Sequence, residues 1–339
     1  MSHAPRLGFL GVGWIGRHRM AALLEAGAEA VAIADPSPEN MAEALRLAPD
    51  ARPIADLDAL LGERLDGLVI ATPSALHAEQ AIRAFDRGIS VFCQKPLGRD
   101  AREVEAVLAA ARRADRCLGV DLSYRFTEGM QAIRRLVDAG ELGQIFAADL
   151  MFHNAYGPDK PWFYDPALSG GGCLMDLGVH LIDLALWTLR YPPVRGVSGH
   201  LMHAGTPIVD RTRVVEDYAL AEIVLEQGTV IRIACSWNLP AGRDAVIAAE
   251  FFGTAGGAAM RNVDGSFLDF TAERFRGTSA ERLSSPPDHW GGRAAVDWLR
   301  KLVRPAYDGE ADRLADMARL MDRIYDDAAP VSPAARSAA

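Results

Sequence analysis

The first 122 residues alternate short apolar segments with helical patterns. The apolar segments are bounded by glycine or polar residues, as buried parallel strands are; they are Leu7–Leu10, Val31–Ala34, Leu68–Ala71, Val91–Cys93 and Leu118–Leu122. The helical patterns are Ile15–Glu25, Glu39–Leu47, Leu57–Leu61, Leu76–Arg87 and Ala101–Arg113. Parallel strands need crossover connections, which are usually right-handed and helical. We therefore predict a doubly wound α/β domain over residues 1–122.

The pattern changes after this region. A helical pattern, Glu128–Ala139, precedes a strand-like stretch, Ile145–His153, a loop rich in Gly and Pro, and a strong helix, Cys173–Leu189. Four longer β-type segments follow, and they form two predicted hairpins: Tyr218–Leu225 with Val230–Trp237 across Glu226-Gln227-Gly228, and Val246–Phe252 with Phe267–Phe275 across a Gly-rich turn. The last helical patterns are Arg293–Val303 and Asp312–Asp327. We predict an α+β domain over residues 123–330 with a mostly antiparallel open sheet, and a frayed tail over residues 331–339.

Composition narrows the possible functions. The 339 residues exceed what one hydrophobic core usually supports, which agrees with two domains. The net charge of −9 and the lack of a basic run argue against nucleic-acid binding. No apolar stretch reaches the length of a membrane span, and Met1–Arg6 leads into a strand without an apolar signal region, so we expect a cytoplasmic protein. Four scattered cysteines, Cys93, Cys117, Cys173 and Cys235, are expected to be buried free thiols.

A glycine motif connects the first predicted strand to the first predicted helix. Gly11-Val12-Gly13-Trp14-Ile15-Gly16 matches the dinucleotide-binding pattern G-x-G-x-x-G. Gly11 permits a tight turn, Gly13 lets the backbone approach a pyrophosphate, and Gly16 allows close packing of helix and strand. The start of the helix offers unpaired N–H groups and the positive end of its dipole to the phosphates. These features predict a Rossmann domain.

An acidic residue completes this pattern. Asp35 ends the second predicted strand, 19 residues after Gly16, where its carboxylate can accept hydrogen bonds from the adenosine ribose. The same carboxylate would repel a 2′-phosphate, and Pro36-Ser37-Pro38 offers no arginine to compensate. We therefore expect NAD rather than NADP. The alternative is a Gly-rich turn in an unrelated α/β protein, with Asp35 as a helix cap.

Three further motifs resemble those of the Gfo/Idh/MocA oxidoreductase family. Thr72-Pro73-Ser74-Ala75-Leu76-His77 resembles its T-P-x-x-x-H segment, and Gln94-Lys95-Pro96 resembles its E-K-P motif. The segment from Gly170-Gly171-Gly172 to Asp176-Leu177-Gly178-Val179-His180 resembles its G-G-G-x-x-x-D-x-G-x-H motif. Motif order and separation agree over nearly the whole chain. After about Pro286 the chain matches the family only in general pattern.

The resemblance implies reversible hydride transfer between a nicotinamide cofactor and the CH–OH group of a polyol, inositol or sugar. It assigns Lys95, Asp176 and His180 to catalysis. The resemblance places the glycine loop at the cofactor, including Trp14 and Ile15, and also Asp35. The other cofactor-binding residues that it implies are Thr72, Pro73, His77, Gln94 and Lys95. The family usually has Glu where this chain has Gln94, and an amide cannot pair ionically with Lys95 or act as a base. We also expect a cis Lys95–Pro96 peptide bond, since only X–Pro bonds adopt cis at low cost.

The residue types support this chemistry. Asp176 and His180 are four residues apart in a predicted helix and share one face. A carboxylate there can fix the imidazole tautomer, so that His180 removes the hydroxyl proton, and the ammonium of Lys95 can stabilise the substrate oxygen. Two alternatives are a helix-surface hydrogen bond and a metal site formed by Asp176, His180 and His153. For His77, packing at the domain edge is as plausible as a role beside the nicotinamide.

Further residues are candidates for binding the substrate. Arg125 follows the last predicted Rossmann strand and could bind hydroxyl groups or form a hinge ion pair. The remaining candidates for a pocket wall are His153, Asn154, Trp162 and Trp237, for which simple packing is the alternative.

Two other activities are compatible with these motifs. The first is a family enzyme that retains NAD and carries out a net non-redox elimination or glycoside cleavage through transient oxidation. The second is a non-catalytic NAD-binding regulator, against which intact Lys95, Asp176 and His180 argue. We expect a homodimer or homotetramer, because the open second sheet needs its outer face covered.

Overall fold

The computed structural model describes residues 4–328, and the predicted tail of residues 331–339 lies outside them. The chain forms two compact units. The first comprises the chain up to Phe126 together with His289–Ala315, and the second comprises Thr127–Asp288 together with the chain from Asp316 onward.

The first unit is built on a parallel sheet. Its strands are β1 Arg6–Leu10, β2 Glu29–Ala34, β3 Arg52–Pro53, β4 Gly67–Ile70, β5 Ser90–Cys93 and β6 Leu118–Val120. Its first helices are α1 Trp14–Glu25, α2 Pro38–Leu47, α3 Leu57–Leu61, α4 Ser74–Asp86 and α5 Ala101–Ala114, followed by the 3₁₀ helix Ser123–Phe126. The strand order β3-β2-β1-β4-β5-β6 is that of a doubly wound dinucleotide-binding fold, which confirms the predicted fold class.

Local sequence explains where these helices begin. Ser37, Asp56 and Asp100 cap α2, α3 and α5 by accepting hydrogen bonds from backbone N–H groups of the first turn. The helix α1 has no side-chain cap, and the N-cap residue that precedes it is Gly13. Its first N–H groups therefore lack a partner from a capping side chain, as the dinucleotide motif requires.

The second unit is built on a nine-stranded sheet in the part of the chain that the structure describes. Its strands are β7 Ile145–Asn154, β8 Val194–His203, β9 Thr206–Pro207, β10 Tyr218–Leu225, β11 Val230–Ser236, β12 Ala245–Gly253, β13 Gly256–Asn262, β14 Phe270–Arg276 and β15 Ser279–Ser284. They are ordered β15-β14-β13-β12-β7-β11-β10-β8-β9, and every pair is antiparallel except β7 with β11. The predicted antiparallel sheet and the hairpin β10–β11 are confirmed. The helices here are α6 Glu128–Asp138, α7 Pro166–Ser169 and α8 Val179–Thr188.

The second predicted hairpin was wrong. The strand β12 pairs with β13, which occupies Gly256–Asn262, and β14 pairs with the other edge of β13. The sequence of β13, Gly-Gly-Ala-Ala-Met-Arg-Asn, contains no β-branched or aromatic residue, so it resembled a turn. It is a strand because β12 and β14, one on each edge, form hydrogen bonds with its backbone N–H and C=O groups. The strand β8 was also not predicted.

The helix predicted over Cys173–Leu189 consists of two parts. Residues Leu174–Gly178 form a π-turn, in which the N–H of Val179 donates to the carbonyl oxygen of Leu174, and α8 continues from Val179. The wider π-turn changes which residues share a face, and such turns occur often at functional sites. An offset of four residues is close to one helical turn, so Asp176 and His180 remain neighbours along the helix.

Two helices close the chain, α9 Arg293–Lys301 and α10 Arg313–Asp327. The predicted boundaries placed residues 123–330 in one domain, but α9 packs with the Rossmann core. The indole of Trp298 lies against Gly67 and Gly119, where an added Cβ would come within 3 Å of it. Glycines in β4 and β6, the strands on either side of β5, thus make space for a tryptophan that is distant in sequence.

All four cysteines are free and buried, as predicted. Burial raises the pKa of the Cys117 thiol to about 11. No helix within residues 4–328 is long and apolar enough to cross a membrane.

Candidate active site

The glycine loop between β1 and α1 has the backbone that its sequence predicts. Gly11 has φ +82°, and its N–H donates to the carbonyl oxygen of Ala34 at 2.8 Å. A Cβ at Gly11 would lie 2.6 Å from the carbonyl oxygen of Ala71, and one at Gly16 would overlap the carbonyl oxygen of Gly11. Neither position admits a side chain without moving backbone.

Gly13 differs from its two neighbours in the motif. A Cβ at Gly13 would meet no heavy atom within 4 Å among the described residues, so the space in front of this residue is open. Trp14 is exposed, and its ring centroid lies 5.9 Å from that of His18. The first helical N–H with a partner within the helix is that of Arg17, which donates to Gly13. The loop therefore presents open space and unpaired amides, which fits a dinucleotide pyrophosphate.

Asp35 is tied to this loop. Its Oδ2 accepts from the N–H of Val12 at 2.7 Å, and its Oδ1 accepts from the N–H of Ser37 at 2.8 Å and from Asn40 Nδ2 at 3.3 Å. Ser37, not Asp35, caps α2. Oδ2 keeps one of its lone pairs, so Asp35 can still accept a hydrogen bond from a ribose.

An arginine in α1, outside the segment that follows β2, lies near Asp35. Arg17 Nη1 donates to the carbonyl oxygen of Val12 at 2.8 Å and to Asn40 Oδ1 at 3.1 Å. Asn40 also donates to Asp35, so its side chain links the guanidinium of Arg17 to the carboxylate of Asp35. Arg17 is the group that could receive a 2′-phosphate.

His77 links two of the sequence motifs. Its side chain is buried, with Nε2 2.7 Å from the carbonyl oxygen of Thr72 and Nδ1 2.7 Å from that of Pro96. Burial lowers the pKa of His77, and the hydrogen bonds to the Pro96 and Thr72 carbonyl groups oppose this shift. Because both ring nitrogens lie within hydrogen-bond distance of backbone oxygens, the side chain of His77 connects the backbone at Thr72 to the backbone at Pro96.

The predicted cis peptide bond between Lys95 and Pro96 is confirmed. Lys95 follows Gln94 directly at the carboxyl end of β5, the edge of an open α/β sheet where ligands bind. Gln94 Nε2 donates to Asp121 Oδ2 at 2.5 Å, and Arg19 Nε donates to the same oxygen at 2.6 Å. All three side chains of this group are buried.

In the second unit, Asp176 lies in the π-turn and His180 in the first turn of α8. Trp237 Nε1 donates to Asp176 Oδ2 at 3.2 Å, and the indole is buried. A Cβ at Gly178 would come 2.6 Å from Leu174 and 3.3 Å from the sulfur of Cys235 on β11, so this helix lies close against the sheet. His180 is also buried.

Glu216 anchors the start of the π-turn. Its Oε1 accepts from the N–H groups of Gly172 and Leu174 at 2.9 and 3.0 Å, and from the hydroxyl of Tyr325 at 2.8 Å. The guanidinium of Arg211 lies 3.8 Å from the ring centroid of Tyr325. Burial raises the pKa of Glu216, and hydrogen bonds, among them those from Tyr325, Gly172 and Leu174, oppose the rise.

The triple glycine is explained by these contacts. A Cβ at Gly171 would overlap the hydroxyl of Tyr325, and one at Gly172 would overlap the backbone of Glu216. Within the second unit, these glycines thus make room for Glu216 and Tyr325.

The structure separates His153 from Asp176. His153 Nδ1 lies 2.8 Å from Ser236 Oγ, and its ring stacks on Tyr218. Side chains alternate along β11, so Ser236 points away from the face on which Cys235 contacts Cys173 and Trp237 contacts Asp176. His153 therefore does not join Asp176 in a metal site, and no group of three His, Cys, Asp or Glu side chains in residues 4–328 could hold a metal ion.

Of the other substrate candidates, Asn154 is one residue further along β7, so it points to the face opposite His153. Its Oδ1 is buried and accepts no hydrogen bond from the described residues. Trp162 stacks on Phe163 at 3.8 Å between centroids, and Phe163 and Tyr164 make edge contacts with Trp237. Aromatic side chains thus surround Trp237, whose indole N–H donates to Asp176. Arg125 lies in the first unit, in the 3₁₀ helix after β6.

Comparison with protein-family models decides the family. The model of the GFO/IDH/MocA oxidoreductase family with an NAD-binding Rossmann fold matches residues 6–122, and the model of a GFO/IDH/MocA C-terminal domain matches residues 130–259. The chain belongs to this family. The resemblance predicted from the motifs is confirmed, and the protein is an oxidoreductase with an NAD(P)-binding Rossmann domain.

Individual members of the family agree with this assignment. A UDP-kanosamine synthase oxidoreductase subunit from Amycolatopsis mediterranei (strain S699) is 33% identical over 90% of this chain and 90% of its own length. An inositol 2-dehydrogenase from Rhizobium meliloti (strain 1021) is 29% identical over 76% of each chain. In fold, the chain resembles a 3-ketoreductase from Actinomadura kijaniata solved with NADP and TDP-benzene, with a TM-score of 0.82, 22% identity and coverage of 96% and 98%.

Sequence reasoning about this GFO/IDH/MocA oxidoreductase missed four buried polar residues: Arg19, Asp121, Glu216 and Tyr325. For Asp121 there was a signal, because a carboxylate in the apolar segment Leu118–Leu122 needs a buried partner. Nothing comparable identified Glu216 or Tyr325, whose contacts join segments more than 100 residues apart.

Proposed function

We propose that this protein oxidises a CH–OH group of a sugar, polyol or inositol with NAD, or carries out the reverse reduction. The observation that carries the proposal is the Asp176 carboxylate, held by the indole of Trp237 in a π-turn that leads directly to buried His180. The substrate class is supported by relatives named for UDP-kanosamine synthesis and inositol oxidation.

Three residues carry the proposed chemistry. His180 takes the hydroxyl proton of the substrate, and Asp176 orients the imidazole and stabilises its protonated form. Lys95 stabilises the negative charge that develops on the substrate oxygen. NAD, when bound, would supply the hydride acceptor. Gly11, Gly13 and Gly16, with the start of α1, hold the pyrophosphate, and Asp35 binds the adenosine ribose.

A substrate screen tests the proposal. NAD and NADP are each incubated with inositols, free sugars, glycosides and nucleoside-diphosphate sugars, and absorbance of the reduced cofactor is followed. We expect reduction of NAD with at least one class of cyclic polyhydroxyl compound. Substrate consumption without accumulation of reduced cofactor would instead indicate an enzyme that retains NAD for a net non-redox reaction. Binding of NAD without turnover of any class would contradict the proposal.

Cofactor preference gives a separate prediction. We expect tighter binding of NAD than of NADP, because Asp35 would face the 2′-phosphate. Asp35→Ser should narrow or reverse the preference, since Arg17 then meets the phosphate without a competing carboxylate. The measurement is the dissociation constant of each cofactor by fluorescence titration.

The control for this prediction is Arg17→Ala in the Asp35→Ser background. It should remove the gain in NADP affinity and leave NAD affinity nearly unchanged. Equal or tighter binding of NADP by the unaltered protein would show that Arg17 outweighs Asp35.

We also infer that the protein forms a homodimer or homotetramer through the outer face of its second sheet. Leu220 is exposed on this face, while Ala219 and Ala221 beside it are buried on the other. Light scattering at micromolar concentration should give a mass of two or four chains, and Leu220→Arg should lower it. A stable monomer before substitution would refute this inference.

A further inference from the structure

We propose that Arg19, Asp121 and Gln94 form one positioning group that fixes the backbone at Lys95, with the negative charge on Asp121 and the amide on Gln94 as a matched pair. The proposal rests on the proposed role of Lys95. It adds two residues, Arg19 and Asp121, that no sequence motif contains.

The group converges on one atom. Arg19 Nε and Gln94 Nε2 both donate to Asp121 Oδ2, at 2.6 and 2.5 Å. The exposed fractions of Arg19, Asp121 and Gln94 are 5%, 2% and 7%, so solvent screens these contacts little. A buried carboxylate between a guanidinium and an amide is neutral as a whole, as burial requires.

Each member is held by a different element of the Rossmann sheet or its first helix. Arg19 lies in α1, which the glycine loop opens. The N–H of Gln94 donates to the carbonyl oxygen of Ile70 on β4, and that of Asp121 donates to the carbonyl oxygen of Cys93 on β5. The three side chains therefore tie the carboxyl ends of two parallel strands to α1.

The chemistry of Asp121 determines the residue at position 94. An ionised carboxylate only accepts hydrogen bonds, so the partner of Oδ2 must be a donor. Glu at position 94, which the family motif usually has, would place a second carboxylate against Asp121 with one guanidinium to balance two charges. In this chain Asp121, after the neighbouring strand β6, supplies the carboxylate, and Gln94 is the residue that can donate to it.

Lys95 is then fixed from both sides. Gln94 before it is bound to Asp121, and Pro96 after it offers its carbonyl oxygen to buried His77. A residue between two anchored neighbours has little backbone freedom. Its ammonium is consequently presented from a defined position, which a group stabilising a developing charge needs.

A charge swap tests the group. Gln94→Glu and Asp121→Asn are made singly and together, and thermal stability, kcat, KM and NAD affinity are measured. We expect Gln94→Glu to lower kcat at least tenfold relative to the parent protein at neutral pH, and the ratio of the two kcat values to approach one as the pH falls, because the introduced carboxyl group then takes up a proton and again donates to Asp121. Asp121→Asn should lower kcat at all pH values, because it leaves Arg19 without a counter-charge.

The double variant should restore most of kcat and of the melting temperature, since the swapped pair again has one carboxylate, one amide and Arg19. Gln227→Glu in the exposed turn between β10 and β11 is the matched control and should change neither quantity. Additive losses in the double variant would overturn the matched pair. Recovery of stability without recovery of kcat would show that the group supports folding and does not position Lys95. Lys95→Ala with full activity would instead refute the proposed role of Lys95, whatever the stability cycle shows.

Discussion

Replacement of His180 by alanine should lower kcat by about 10²–10⁴-fold, which is what general base catalysis is typically worth. His180 is buried in the first turn of α8, directly after the π-turn that carries Asp176. Without an imidazole, the hydroxyl proton would have to leave to water. The glycine loop and Asp35 lie in the other unit of the chain, so NAD affinity should stay nearly unchanged.

Variants of the neighbouring residues separate orientation from proton transfer. Asp176→Asn keeps the shape of the side chain but permits the wrong histidine tautomer, so it should also cost activity. Trp237→Phe removes the N–H that holds Asp176 together with part of the buried ring, and its effect on kcat should be smaller and in the same direction. Lys95→Ala should lower kcat as well. Because these residues act as a unit, double variants should lose much less than the sum of the single losses.

The control is His200→Ala, which removes an exposed imidazole from β8 in the same unit. Steady-state kcat and kcat/KM are measured on the substrate found by the screen, with NAD affinity measured separately. Turnover of the His180→Ala protein within a few-fold of the parent would make His180 a structural residue and refute the proposed mechanism.

The Rossmann unit could be predicted because its signals are local. Each strand is a short apolar segment, and the glycine motif lies where a strand meets a helix. The antiparallel sheet was predicted only where its strands are rich in β-branched residues, as in β10 and β11. The strand β13 and the return of α9 to the first unit depend on tertiary contacts, with β12 and β14 in one case and with Gly67 and Gly119 in the other.

The candidate site likewise contains residues with a local sequence signal and residues that only tertiary contacts bring into place. Asp176, His180 and Lys95 belong to motifs and could be named from the sequence. The contacts that support them could not, because the sheet topology determines them: Trp237 was named only as a candidate for the pocket wall, and Glu216 and Asp121 were not named. The metal-site alternative grouped His153 with Asp176 on residue type alone. A strand presents successive side chains on opposite faces, so a difference of one position separates His153 from Asn154.

Replacement of Gly172 by alanine should cause the largest loss of stability among the single-residue changes considered. The new Cβ would overlap the backbone of Glu216, and no change of rotamer can relieve a clash with backbone. The same shift would strain the hydrogen bonds from Gly172 and Leu174 to Glu216. Overpacking of a well-packed site costs about 1–3 kcal/mol and occasionally more, and we expect about 3 kcal/mol or more here.

Gly196→Ala in β8 is the matched control, because a Cβ there meets no described atom within 4 Å and the backbone is ordinary. Glycine in a strand is less favourable than alanine, so this variant should be neutral or slightly stabilised. Thermal unfolding followed by circular dichroism should separate the two variants by several degrees, at roughly 2–4 °C per kcal/mol for a unit of this size. Because Gly172 lies four residues before Asp176, kcat of the folded Gly172→Ala protein should fall as well. Equal melting temperatures for the two variants would mean that the segment around Gly172 can move away from Glu216, and that the contacts of Glu216 do not hold the π-turn in place.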